Sequence, residues 1–155
     1  MDYCQRLMMA IMTACGRWDK WGMSSEGLAR LSDAEQTLIL VWALSAEVEN
    51  GGFDLFYMKS TGDFAGETVD ALRRIGDHHD ADLLEEGNAL FPTQPVPKDQ
   101  DKRVAELKAF NEDWLLPQWG RLERAFYANE EERGRMLYEY VKARWPSSEL
   151  GDCRL

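Results

Sequence analysis

The sequence predicts an all-α protein, a single-domain multi-helix bundle around a central apolar helix at about residues 33–50. Three observations carry this. Apolar residues recur at spacings of three and four in segment after segment, which puts them on one side of a helix. The segments begin and end at residues that cap or break helices. No stretch alternates apolar and polar residues as a half-buried strand does. At 155 residues the chain is one domain's worth, able to bury roughly two-thirds of its unfolded surface. It divides into an N-terminal helix with a Trp-containing linker (1–31), an acidic core (32–95) and C-terminal helices (96–155).

The first helix is expected over 2–15, with Met8, Ile11, Met12 and Cys15 as its stripe and Gly16 as its stop. Trp18 and Trp21 follow, placed to cover a core edge with their large rings. Leu28 and Leu31 suggest a short helical turn. Ser32-Asp33-Ala34-Glu35 then forms a capping box, with a hydroxyl and a carboxylate three residues apart satisfying orphan amides. Behind it Leu38 to Leu44 is nearly all apolar, with Trp42 inside, so this helix is the central one.

The central helix should run to Asn50, where Gly51 and Gly52 turn the chain. Phe53, Phe56 and Tyr57 follow at helical spacing and should fold back onto it, with Ser60 and Gly62 closing the corner. Glu47 falls on the stripe of Leu40 and Leu44. A carboxylate there needs partners, and corner amides or the Tyr57 hydroxyl are the candidates. A helix over 64–75 has Ala65, Val69, Leu72 and Ile75 as its stripe and Gly76 as its end. Asp77 caps the next helix, with Asp80 three residues on. Leu83, Leu84, Leu90 and Phe91 face inward, and Pro92, Pro95 and Pro97 stiffen the loop that follows. Val104 and Leu107 mark another helix, and Pro117 is expected to begin a new one carrying Trp119, Leu122 and Phe126. The last helix spans Glu130 to Arg144, acidic at its start and basic at its end as the macrodipole prefers. Pro146 stops it.

Several function classes find little support. No apolar run approaches the ~20 residues of a membrane span, and the N-terminus lacks signal-peptide features. Cys4, Cys15 and Cys153 are an odd number without metal spacing, which suggests a reduced, cytoplasmic setting. The two histidines, His78 and His79, are adjacent and point about 100° apart. His78 with Asp82 makes at most a weak pair for a metal, so no metal and no cofactor are expected. The glycines fit no phosphate-cradling loop. An enzyme would have to rely on Glu47 or His78, without a catalytic set around either.

Charge is the informative property. The net charge is −10, and residues 33–90 carry 13 acids against 3 bases. The excess of the whole chain sits in that segment. Such a field repels nucleic acid and anionic membrane and attracts a basic protein; it also keeps a scaffold soluble. Asp82, Glu85 and Glu86 share a helix face, and no Lys or Arg occurs between Arg74 and Lys98. On the preceding helix Glu67 and Asp70 point outward, with Arg74 a partner for Asp70. If the two helices pack antiparallel, Asp63, Glu67, Asp70, Asp77, Asp80, Asp82, Glu85 and Glu86 form one protein-binding acidic face. Duplex DNA shows about one phosphate charge per 1.7 Å of axis, and a rigid array of carboxylates can imitate part of it.

The run Asn50-Gly51-Gly52-Phe53, with Phe56-Tyr57, Ser60, Gly62, Ala71-Leu72, Ile75-Gly76 and Leu90-Phe91-Pro92, resembles a bacterial family of helical domains. The family's named member is a DNA mimic that binds a transcription factor. The likeness covers about residues 35–95. Leu55 stands where the family usually has Gln, and Lys59 where it often has Asn. The resemblance implies an all-helical fold, a homodimer as an allowed state, and DNA mimicry. The expected function is therefore an acidic module that fills the basic groove of a nucleic-acid-binding protein, either a regulator or a nuclease. An immunity protein that neutralises a nuclease toxin uses the same physics and stays open beside it.

Overall fold

The computed structural model describes residues 3–20 and 24–145; Trp21, Pro146 and Cys153 lie outside them. Among the described residues the regular structure is entirely helical: α1 (Tyr3–Asp19), α2 (Ser25–Ala29), α3 (Asp33–Met58), a 3₁₀ turn (Ser60–Phe64), α4 (Ala65–Ile75), α5 (His78–Ala89), α6 (Gln100–Ala109), α7 (Glu112–Ala128) and α8 (Glu130–Arg144). No helix among them is long and apolar enough to cross a membrane.

The central helix is α3, which packs against α1, α4, α6, α7 and α8. Its start is set locally. The Ser32 hydroxyl accepts from the Glu35 amide, and the Glu35 carboxylate accepts from the Ser32 amide. Glu35 also pairs with Arg17 of α1. Leu38, Val41, Leu44 and Val48 are fully buried. Each such side chain is worth about 1.5–3 kcal/mol of transfer free energy, so α3 is held by burial on most of its girth. Trp42 is the exception within the apolar run, at 37% exposed.

Other elements follow their local chemistry. The α4 stripe Ala65, Val69, Leu72 and Ile75 is buried. Gly76 ends the helix in the left-handed region, at φ 89°, where glycine bears no Cβ penalty. On the C-terminal side Leu122, Phe126 and Val141 are core residues.

Two expectations fail. On α1 the buried stripe is Ala10, Ile11, Ala14 and Trp18, while Met12 is 69% exposed and Met8 is exposed as well. Both stripes have helical spacing and lie one residue, about 100°, apart. The two alanines permit a close approach to α3, and Gly16, with open space around it, does not stop the helix. Pro117 lies inside α7 rather than at its start. The break falls earlier, where the Asn111 side chain accepts from the Trp114 amide. The carbonyl that Pro117 leaves unbonded belongs to exposed Asp113, in the first turn, where water can serve it.

Candidate functional site

The corner after Asn50 is a bend within α3. Gly51 has φ −166° and ψ 22°; Gly52 has φ 74° and ψ −172°. The bend swings Phe53 and Tyr57 onto Trp119 of α7, with ring centroids 5.8 and 5.6 Å apart. Phe126 and Phe91 close the cluster. The Tyr57 hydroxyl donates to Asn88 Oδ1 at 2.7 Å, and burial pushes its pKa well up, with the Arg103 charge opposing.

Glu47 therefore does not receive the Tyr57 proton. It is half-buried, and Asn50 is exposed. The carboxylate that serves the corner is Glu123 of α7, whose Oε1 accepts from the Phe53 amide at 2.9 Å.

Arg103 of α6 holds the other side of the corner. It is completely buried, yet it ends among oxygens. Its Nε donates to the Tyr57 carbonyl, Nη1 to the carbonyls of Pro97 and Lys98, and Nη2 to the Lys59 carbonyl and to Asp63. Lys59 contributes through its main chain, so the contact does not depend on its side chain. Ser60 is exposed at the start of the 3₁₀ turn, and Gly62 is buried against Arg103.

Beyond the 3₁₀ turn, α4 and α5 form a hairpin. Asn88 near the end of α5 donates to the Ala65 carbonyl at the start of α4, so the helices run antiparallel. A groove of about 500 Å³ lies along it and the loop after α5. Asp63, Glu67, Asp70 and Glu85 line that groove together with Arg73 and Lys98. Of the eight expected acids, these four meet in one place. Asp82 and Glu86 are exposed on the α5 flank.

Most of these acids have cations beside them. Arg73 reaches Glu85 at 2.8 Å and Asp82 at 3.8 Å; Lys98 pairs with Glu67, and Arg121 of α7 with Glu86. Arg74 turns instead to the Thr37 hydroxyl at 2.7 Å and leaves Asp70 exposed. These partners are distant in sequence, because in each pair the cation lies on a different element from its acid. Outward ion pairs of this kind are worth about 0–1 kcal/mol, so they hold the carboxylates loosely.

Asp77 and Asp80 do not belong to the face. They are 1% and 0% exposed and cannot meet a partner protein. Asp77 caps α5 as its spacing predicts, accepting from the Asp80 amide, and Asn129 donates to it at 3.1 Å. Asp80 receives Nη1 of buried Arg133 at 2.6 Å and lies 2.9 Å from His79 Nδ1. Among the described residues Asp77, His79 and Asp80 bring possible ligand atoms within 4.8 Å of one another. Arg133 already supplies the positive charge, so the arrangement works as an internal ion pair that ties α5 to α8. A local signal for both buried arginines exists: Arg103 stands four residues before Leu107 and Arg133 four before Leu137, each at the head of an apolar stripe.

Burial raises the Asp77 carboxyl from 3.8 to about 6, with the Asp80 charge adding to the rise. Folding thus favours the neutral acid. Its contribution to stability is full below about pH 4 and is lost as the pH rises through about 6. Asp77→Asn is neutral throughout and keeps an oxygen for the cap. Relative to that variant, wild type loses about 1–3 kcal/mol of unfolding free energy between pH 4 and 7. Parallel denaturant titrations measure the difference, and a flat one would contradict the elevated carboxyl.

A family model described as DMP19-like protein matches residues 29–144. The match begins at the end of α2 and extends through α8, beyond the 35–95 stretch on both sides, and leaves α1 outside. No curated protein and no solved structure matches the chain.

Proposed function

As the chain belongs to the DMP19-like protein family, we propose that it is an acidic protein-binding module acting as a DNA mimic. Its partner is a nucleic-acid-binding protein, a transcription regulator or a nuclease, whose basic groove it occupies. The observation that carries this reading is the α4–α5 hairpin. Two antiparallel helices hold Glu67, Asp70, Asp82, Glu85 and Glu86 toward solvent on a rigid frame, while Arg73, Lys98 and Arg121 only partly offset them.

The ion pairs do not close the surface. An incoming Lys or Arg exchanges for a loosely held one at little cost, since an outward pair contributes so little in water. What persists is the net field of a chain with charge −10, which steers a cationic partner toward it.

The test is affinity capture from the native cell, followed by titration of the captured pair with salt. Affinity should fall steeply with ionic strength, because screening acts on exposed charges. The triple variant Asp82→Lys, Glu85→Lys, Glu86→Lys should lose about tenfold or more in affinity, with little change in melting temperature because all three are exposed. Binding that is flat in salt and unmoved by the triple variant overturns the reading. Displacement of the partner's nucleic acid separates mimicry from a contact elsewhere on the partner.

A further inference from the structure

Beyond the end of the α5 flank an indole stands in solvent. Trp114, in the first turn of α7, is 48% exposed. Its ring stacks on Phe110, with centroids 5.8 Å apart and 22° between planes. Phe110 meets buried Phe91 edge-on at 6.2 Å, and Phe91 packs on Tyr57 at 4.8 Å. A ladder of rings thus runs from the core of the corner to one open face. Exposed Tyr127 differs, because its hydroxyl already donates to the Val48 carbonyl. The ladder ends in line with the acidic flank. Asn129, after α7, donates to Asp77, ahead of α5, and Arg121 pairs with Glu86, so α7 runs antiparallel to α5. Trp114 and Arg121 are seven residues apart and share a face of α7, about 10 Å apart along the axis. Trp114 therefore continues the row of Asp82, Glu85 and Glu86 past the end of α5. Asp113 beside it is exposed too.

We propose that an arginine of the basic partner stacks on Trp114, which makes this indole the anchor of the acidic face. The inference rests on the mimic reading and names one contact within it. The chemistry selects the occupant. The face of an aromatic ring is negative and attracts a cation, and indole does so best. Arginine suits it better than lysine, because a planar guanidinium is weakly hydrated and stacks on rings. Nucleobases stack on indoles as well, but the neighbouring carboxylates repel their phosphates. The partner's groove is built to hold phosphates, and arginine is among the residues that do so. Trp and Arg are also the side chains that most often dominate the energy of a protein interface. Phe110 holds the indole in place beforehand, so little side-chain freedom is lost when the arginine arrives.

The probe is acetyl-Gly-Arg-Gly-Arg-Gly-Arg-Gly-amide, titrated at low salt into the full-length ¹⁵N-labelled protein and followed by NMR. The Trp114 indole N–H, identified by its loss in Trp114→Phe, should shift saturably together with the amides of Asp82, Glu85 and Glu86. Ring current should move the Cδ protons of the peptide's arginines upfield. Trp114→Ala and Trp114→Leu should each weaken binding about fivefold. Trp114→Phe should keep most of it, because a ring and not apolar bulk receives the cation. The same peptide with Lys in place of each Arg should bind more weakly. An unmoved indole, full binding by Trp114→Leu, or equal binding of the two peptides overturns the proposal. Shifts confined to α5 overturn it while leaving the mimic reading in place, and that reading falls on its own test, a captured pair whose affinity is flat in salt.

Discussion

Arg103→Ala is expected to lower the unfolding free energy by about 3–5 kcal/mol, the loss typical when one partner of a buried charged network is removed. Four carbonyls and a carboxylate converge on this one side chain. They come from the end of α3, the 3₁₀ turn and the proline loop, three pieces of chain that Arg103 joins from α6. Without the guanidinium, buried acceptors lose their donors and bear the desolvation cost unrelieved. Domains of this size have only about 5–15 kcal/mol to lose. Lysine should not rescue the fold, because a single ammonium cannot reach oxygens spread around a planar fork. Guanidinium chloride denaturation of wild type, Arg103→Ala and Arg103→Lys measures this. A loss under about 1 kcal/mol would mean that water replaces the arginine, and the hub account would be wrong.

Gly52→Ala is the second large effect, at about 3–5 kcal/mol. Its φ of 74° with ψ of −172° lies in a region that is essentially glycine's alone, where a side chain costs about 1–3 kcal/mol. The added Cβ would also lie 2.1 Å from Glu123 Oε1. That oxygen must leave, and the Phe53 amide loses a charged acceptor worth about 1.5–3 kcal/mol. The two contributions can be separated by a double-mutant cycle. In a Glu123→Ala background the same substitution should cost only the backbone share. Equal costs in both backgrounds would show that Glu123 yields freely and that the bend alone resists the side chain.

The helical elements were readable because their signals are near neighbours in sequence. The Ser32 box, the Asp77 cap, the Gly76 stop and the bounds of α8 each involve residues within a turn or so of one another. On α1 two adjacent stripes satisfy the same periodicity, and contact with α3 chooses between them. Pro117 suits a helix start, but Asn111 has already started α7 six residues earlier.

The acidic hairpin shows the same division. Composition fixed the sign of its charge, and spacing placed Asp82, Glu85 and Glu86 on one face of α5. Which acids meet solvent depended on residues far along the chain. Arg133, 53 residues from Asp80, drew that carboxylate into the core, and Arg121, 35 residues from Glu86, came to rest beside it. Helix capping and amphipathic periodicity are short-range and act before the chain closes on itself, so a linear reading captures them. Burial and ion pairing are properties of three-dimensional neighbours, which exist only after the helices have packed.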